Sequence, residues 1–252
     1  MLRLKHYTSF VLLACVLLAC GGGEDDPAPV VNPPLGPGEV AGYTKIDHEG
    51  FVIQVESNAL ANHPELTNRA LDKVRTDLSA IVNDYELAGD VLEDLRQVPF
   101  FIDWSKTFGG AVEHHISLNW LINNGYIEEK LNSVAISNVN NFLHFTELNQ
   151  PNMLLHELAH LYHQTKLTVN YEPIFTAFVN GRDSQIYDFV AYHTGNGNII
   201  EGVASPAKGD QLNYFAELTE AYFGENDYFP FDRDDLAEHD PTGFQLLESI
   251  WK

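Results

Sequence analysis

Apolar positions fall into runs with two different periods. "GFVIQVES", from Gly50, alternates apolar and polar residues and suits a strand. Behind it, "HPELTNRALDKVRTDLSAIVNDY" places Leu66, Ala70, Leu71, Val74, Leu78, Ile81 and Val82 at helical spacing, which predicts an amphipathic helix. "VPFFIDW" reads as a buried strand, and "LNSVAISNVNNFL" as a further strand that ends in asparagines. The opening order is therefore strand, helix, strand, strand.

Helices dominate afterwards. Pro151 to Lys166 carries Leu154, Leu155, Leu158, Ala159, Leu161 and Tyr162 on most of its faces, as a buried helix does. "IYDFVAYHTGNGNIIEGVAS" predicts a hairpin turning at "TGNGN". "DQLNYFAELTEAYFG" predicts a helix that starts after Asp210 and stops near Gly224. An acidic segment and a last helix, "TGFQLLESIW", follow. The pattern is that of an α+β chain with a mainly helical C-terminal half, and no internal repeat is visible.

The N-terminus stands apart. "MLRLKHYTSFVLLACVLLAC" joins a basic start (Arg3, Lys5) to an apolar run from Phe10 to Ala19. That run is far shorter than the roughly 20 residues of a membrane span, so it reads as an export signal. Leu17 to Cys20 resembles a bacterial lipobox, which implies Cys20 as a lipidated first residue. The matching "LLAC" that ends at Cys15 leaves too short an apolar run before it. Residues 1–19 are thus expected to be a lipoprotein signal, 20–42 a Gly-, Pro- and acid-rich tether, and 43–252 one domain. Gly21 is not the aspartate associated with inner-membrane retention, which points to the outer membrane or cell surface. Both cysteines lie in this leader, so the domain has no internal disulfide to rely on.

The formal net charge is −22, and −24 without residues 1–19, which hold two basic residues and no acidic one. Such a field disfavours nucleic acid and anionic headgroups; membrane contact is expected through the lipid anchor alone.

The chemistry concentrates in "PNMLLHELAHLYHQ". On a helix, His156 and His160 lie one above the other and can aim at one zinc ion. Glu157, one residue further round, can reach a water that the metal activates and act as its base. This is the metallopeptidase reading of H-E-x-x-H, whose substrate would be a peptide or protein outside the cytoplasm. His163 continues the same face but stands about 10 Å along the axis from His156, too far to share a tetrahedral ion. It is expected only to flank the site. A third ligand must come from elsewhere, and Asn213, Glu217 and Glu220 share a face of the downstream helix.

The blocks "SLNWLINNGY", "SVAISN", "LLHELAHLYH", "NYFAELTEAYFG" and "NDYFPF" resemble those of a group of exported zinc metallopeptidases of bacteria and fungi. That group is distantly similar to gluzincins of the anthrax lethal factor and Pro-Pro endopeptidase type. The resemblance implies a zincin-like fold: a small mixed sheet whose edge strand, here "SVAISN", holds extended substrate above the motif helix. It also implies a downstream Tyr-x-x-x-Asn-x-x-Glu-Phe/Tyr-Phe-Ala-Glu segment, with the first Glu on zinc and the Tyr on the oxyanion. In this chain Pro206 stands where the Tyr is expected and Asn213 where the ligand Glu is expected, while Glu217 matches the second Glu.

Three arrangements follow: Glu217 as third ligand, the favoured one; Glu220 in that role; or a weakened site with Asn213 or water there. In the last case the chain is a non-catalytic surface lipoprotein that keeps the fold as a binding module. If Glu217 is not a ligand, it is expected to orient His160. Tyr192 or His193 is a candidate replacement for the oxyanion donor, while Tyr214 reads as core. Asn138 and Asn140 read as turn residues. His114 and His115, adjacent on extended chain, point to opposite faces and read as structural or surface residues. "DRDDLAEHD" lacks the glycine and spacing of a calcium loop.

Overall fold

The structure, a computed structural model, describes residues 36–252. The expected signal, Cys20 and most of the tether lie outside the described residues. About half of the described residues are helical, and the strands form a small mixed sheet and a separate hairpin.

β1 (Tyr43–His48) and β2 (Phe51–Glu56) form an antiparallel pair. Glu49 and Gly50, at φ 52° and 87°, make the two-residue turn whose twist suits such a pair. α1 (Ser57–Asn62) and α2 (Pro64–Asn83) follow, the latter started by Pro64 where a missing N–H costs nothing. α2 buries Ala70, Leu71, Val74, Leu78 and Ile81, as its periodicity predicts. Next come α3 (Gly89–Arg96), β3 (Phe100–Ile102), β4 (Val112–His115), α4 (Leu118–Asn123), β5 (Ser133–Ile136) and α5 (Val139–Leu148). Asn138 caps α5 by accepting from the amide of Asn141 at 3.1 Å, a capping role close to the turn role expected of it.

The sheet order is β1-β2-β3-β5-β4. β3 runs parallel to both β2 and β5, whereas β4 closes the order antiparallel to β5. This corrects the expected edge strand: "SVAI" lies between β3 and β4, and the edge on that side is "VEHH". All four residues of β5 are buried, as an interior strand requires, while β4 keeps Glu113 and His114 half-exposed.

α6 (Met153–Tyr162) packs against β4 and β5 and runs into a π-helical turn, His163–Thr168. α7 (Glu172–Asp183), the hairpin β6 (Val190–Gly195) and β7 (Asn198–Val203), α8 (Gln211–Phe223), α9 (Arg233–His239) and α10 (Pro241–Trp251) complete the chain. The hairpin turns at Asn196 and Gly197, both at positive φ, within the predicted "TGNGN".

The main core joins Phe51, Ile53, Val55, Phe100 and Ile102 of the sheet to Leu154, Leu158 and Leu161 of α6, Phe215 and Leu218 of α8, and Trp251. On the other face, Phe101 and Ala135 are covered by Val40, Tyr43 and Ile127. The packed part thus begins at Val40, slightly ahead of residue 43. Beside this cover, Lys130 is buried in an ion pair with Asp103, which also accepts from the Tyr43 hydroxyl at 2.6 Å. Among the described residues no helix is long and apolar enough to cross a membrane.

Candidate metal centre

Two helices build the site. α6 buries Leu154, Leu155, Leu158, Ala159 and Leu161, which leaves His156, Glu157 and His160 as its polar stripe. α8 is buried on nearly every face, from Tyr214 to Tyr222, so Glu217 and Glu220 are carried into the interior with it. Buried carboxylates are tolerated only against compensating charge or hydrogen bonds, and α6 supplies the imidazole that faces them.

His156 is engaged at both ring nitrogens. Its Nδ1 lies 2.5 Å from Glu220 Oε1, and its Nε2 lies 3.0 Å from Nε2 of His160. Two imidazoles on one zinc, with bonds of ~2.0–2.1 Å and a near-tetrahedral angle, stand roughly 3.3 Å apart, so the observed pair is close to that spacing. With Nδ1–H donated to Glu220, Nε2 of His156 faces Nε2 of His160. Nδ1 of His160 is buried without a hydrogen-bond partner.

The electrostatics favour a positive charge here. Burial pushes the His156 pKa down, but Glu220, Glu217 and Glu157 outweigh it and raise the pKa to about 10. His160 is pushed down to about 3, first by burial and then by His156. Burial raises Glu217 to about 8; His156 opposes that shift and Glu220 adds to it. Asp227 rises to about 7 through burial and the charge of Glu220. Left alone, this pocket keeps protons on groups that would otherwise ionise, and a divalent cation would take their place.

Ligand atoms of His156, Glu217 and Glu220 lie within 4.8 Å of one another, so this buried group could hold a metal ion. Glu217 Oε1 is 4.0 Å from His156 Nδ1, and Asn226 donates to Glu217 Oε2 at 3.2 Å. His160 approaches from the other side of the His156 ring. The expected residues thus lie on two sides of one imidazole: Glu217, with Glu220 the nearer carboxylate, at Nδ1 of His156, and His160 at its Nε2.

No family model matches the chain, and neither does any curated protein or solved structure.

Glu157 lines two clefts. One, of about 480 Å³, is bordered by β4, Ile116, Ser117 and Trp120; the other, of about 140 Å³, by His156, Glu217, Glu220, Asp227, Gln150 and Met153. Its Oε2 accepts from His114 Nδ1 at 2.6 Å. Burial opposes ionisation of Glu157, but the His114 hydrogen bond and the charge of His156 hold its pKa below the usual range. His114 was expected to be structural or surface, and it faces the site instead. The alternation argument itself survives, since His115 points away and packs against Trp120 and Tyr126.

Other expected residues lie elsewhere. His163 is fully buried with both ring nitrogens unpartnered, its ring edge-on to Phe215, and burial lowers its pKa to about 4. Asn213 turns to Asp210 at 2.9 Å, away from the role of third ligand. Pro206 opens a short 3-10 turn, and the Tyr214 hydroxyl is buried on Asp240. Tyr192 stacks on Tyr228 and accepts from Asn149, while His193 lines a separate cleft with Leu148 and Asn196. "DRDDLAEHD" forms α9, capped by Asp232.

Proposed function

We propose that the chain is a zinc-dependent peptidase of zincin-like architecture, exported and lipid-anchored at Cys20, that cleaves a peptide or protein outside the cytoplasm. The observation that carries this reading is the convergence of His156 and His160 through Nε2 at 3.0 Å, with Glu157 beside them on the wall of an open cleft. In this reading His156 and His160 would hold the metal through Nε2, and Glu217, which lies 4.0 Å from Nδ1 on the other side of the His156 ring, would have to turn toward the ion to be the third ligand. Glu220 accepts from Nδ1 of His156, which fixes its tautomer and turns Nε2 toward the ion. Zinc bound there supplies Lewis acidity and lowers the pKa of water. Glu157 takes a proton from the attacking water on its carboxylate and returns it to the departing amine. β4, at the sheet edge beside Glu157, presents backbone groups to which an extended peptide can add.

A second reading is supported by Pro206 and Asn213, which stand where the resembling peptidases have Tyr and Glu. In that reading the chain is a surface lipoprotein that binds and does not cleave. Zinc content and cleavage of a fluorescence-quenched peptide library by wild type and Glu157→Gln separate the two. Stoichiometric zinc with Glu157-dependent cleavage supports the peptidase; stoichiometric zinc with no such cleavage supports the binding module. A protein that retains no zinc after dialysis against it would sink the metal assignment. Anchoring at Cys20 is checked by lipid-analogue labelling of wild type and Cys20→Ala.

A further inference from the structure

A general base is effective only when its carboxylate is held on the proton it takes, and a glutamate on a helix has three side-chain torsions with which to miss it. Glu157 is not free in this way, because His114 Nδ1 holds its Oε2 at 2.6 Å. His114 is held in turn: its Nε2 lies 2.8 Å from Gln164 Nε2, and the same amide group lies 3.2 Å from the carbonyl of His160. The proton positions follow. An amide nitrogen can only donate, so Nε2 of His114 accepts, Nδ1 carries the ring proton, and Glu157 receives it.

The anchors are rigid. His114 sits on β4 opposite Val134 of β5, and Gln164 lies one turn beyond His160, just inside the π-helical turn. Such turns often mark functional positions. The His114 ring also lies near-parallel to that of His160, with centroids 5.0 Å apart and planes inclined by 27°.

The geometry points to His114 as a positioning residue that aims Glu157, with Gln164 fixing its tautomer. This rests on the peptidase reading above. In this role His114 acts through Glu157.

The test compares His114→Ala, His114→Asn and Gln164→Leu with wild type, each with its zinc content measured. An Asn amide can donate from near the place of Nδ1, so it is the conservative replacement. kcat and KM are determined separately on the best substrate of the peptide library, and zinc-loaded wild type and His114→Ala are crystallised. His114→Ala is expected to keep stoichiometric zinc and KM within about twofold while kcat falls roughly 10–100-fold. His114→Asn recovers most of the loss, Gln164→Leu shows a smaller fall, and Glu157 in His114→Ala spreads over more than one rotamer. A His114→Ala enzyme with wild-type kcat, or one that loses its zinc, overturns the assignment. If wild type cleaves nothing, the peptidase reading falls and the crystals decide alone. An unmoved Glu157 then refutes the positioning role, and a scattered one sustains it.

Discussion

Replacing Glu220 by Gln keeps the size and an oxygen that can accept from His156 Nδ1, and removes only the charge. Both partners are largely buried and 2.5 Å apart, so what is lost is the extra strength that the charge gives this hydrogen bond, roughly 0.5–2 kcal/mol. One offset is relief of repulsion on Glu217 and Asp227, both of which Glu220 pushes up. That relief is small near neutral pH, because Glu217, raised to about 8, is already mostly protonated. The loss should dominate. At about 1.4 kcal/mol per factor of ten, zinc affinity falls roughly 2–30-fold, up to the range seen for other partners of metal-bound histidines. Glu217→Gln, which removes a proposed ligand, must cost more. Competition against a chromophoric chelator at pH 7.5 measures both. The reverse order, with Glu220→Gln the more damaging, would make Glu220 the ligand and refute the arrangement proposed here.

Three further outcomes are expected. His115 is buried, and burial, with Lys130 and His114, depresses its pKa from 6.5 to about 4. The unfolded chain then binds the proton first, so stability is full above about pH 6.5 and is lost as pH falls toward 4. The loss reaches at most about 3 kcal/mol, and urea titrations of wild type and His115→Leu over that range should diverge. Trp120→Ala removes the largest apolar group bordering the larger cleft and should raise KM several-fold with little change in kcat; an unchanged KM would place substrate elsewhere. Lys130→Met leaves Asp103 buried with only the Tyr43 hydroxyl, and should lower the unfolding free energy by about 3 kcal/mol, read from the urea midpoint.

The long periodic segments were legible. α2, α6, α8, α10 and the Asn196-Gly197 hairpin stand where apolar spacing and turn chemistry put them, because each carries ten or more residues of pattern or a strong turn signal. β1 and β4 were not, and for the same reason: "YTKIDH" and "VEHH" are short and mostly half-buried or exposed, so neither writes a clear alternation. Missing β4 had a cost, because it is the edge strand beside α6 and carries His114. The contact of His114 with Glu157 spans 43 residues, and no local spacing can announce it. α5 was hidden behind "SNVNN", asparagines that read as a turn and include the cap of a helix. Glu217 and Glu220 were both foreseen on the right helix. Their unequal distances to His156 depend on how α8 packs on α6, which the face of an isolated helix does not reveal.

The two clefts beside Glu157 differ in capacity. At ~30 Å³ per water, the smaller, of about 140 Å³, accommodates some five solvent molecules, and the larger several times that number. A stretch of polypeptide fits only the larger. In the proposed peptidase, Glu157 would then be a partition between the side that takes the substrate and the side that holds the metal.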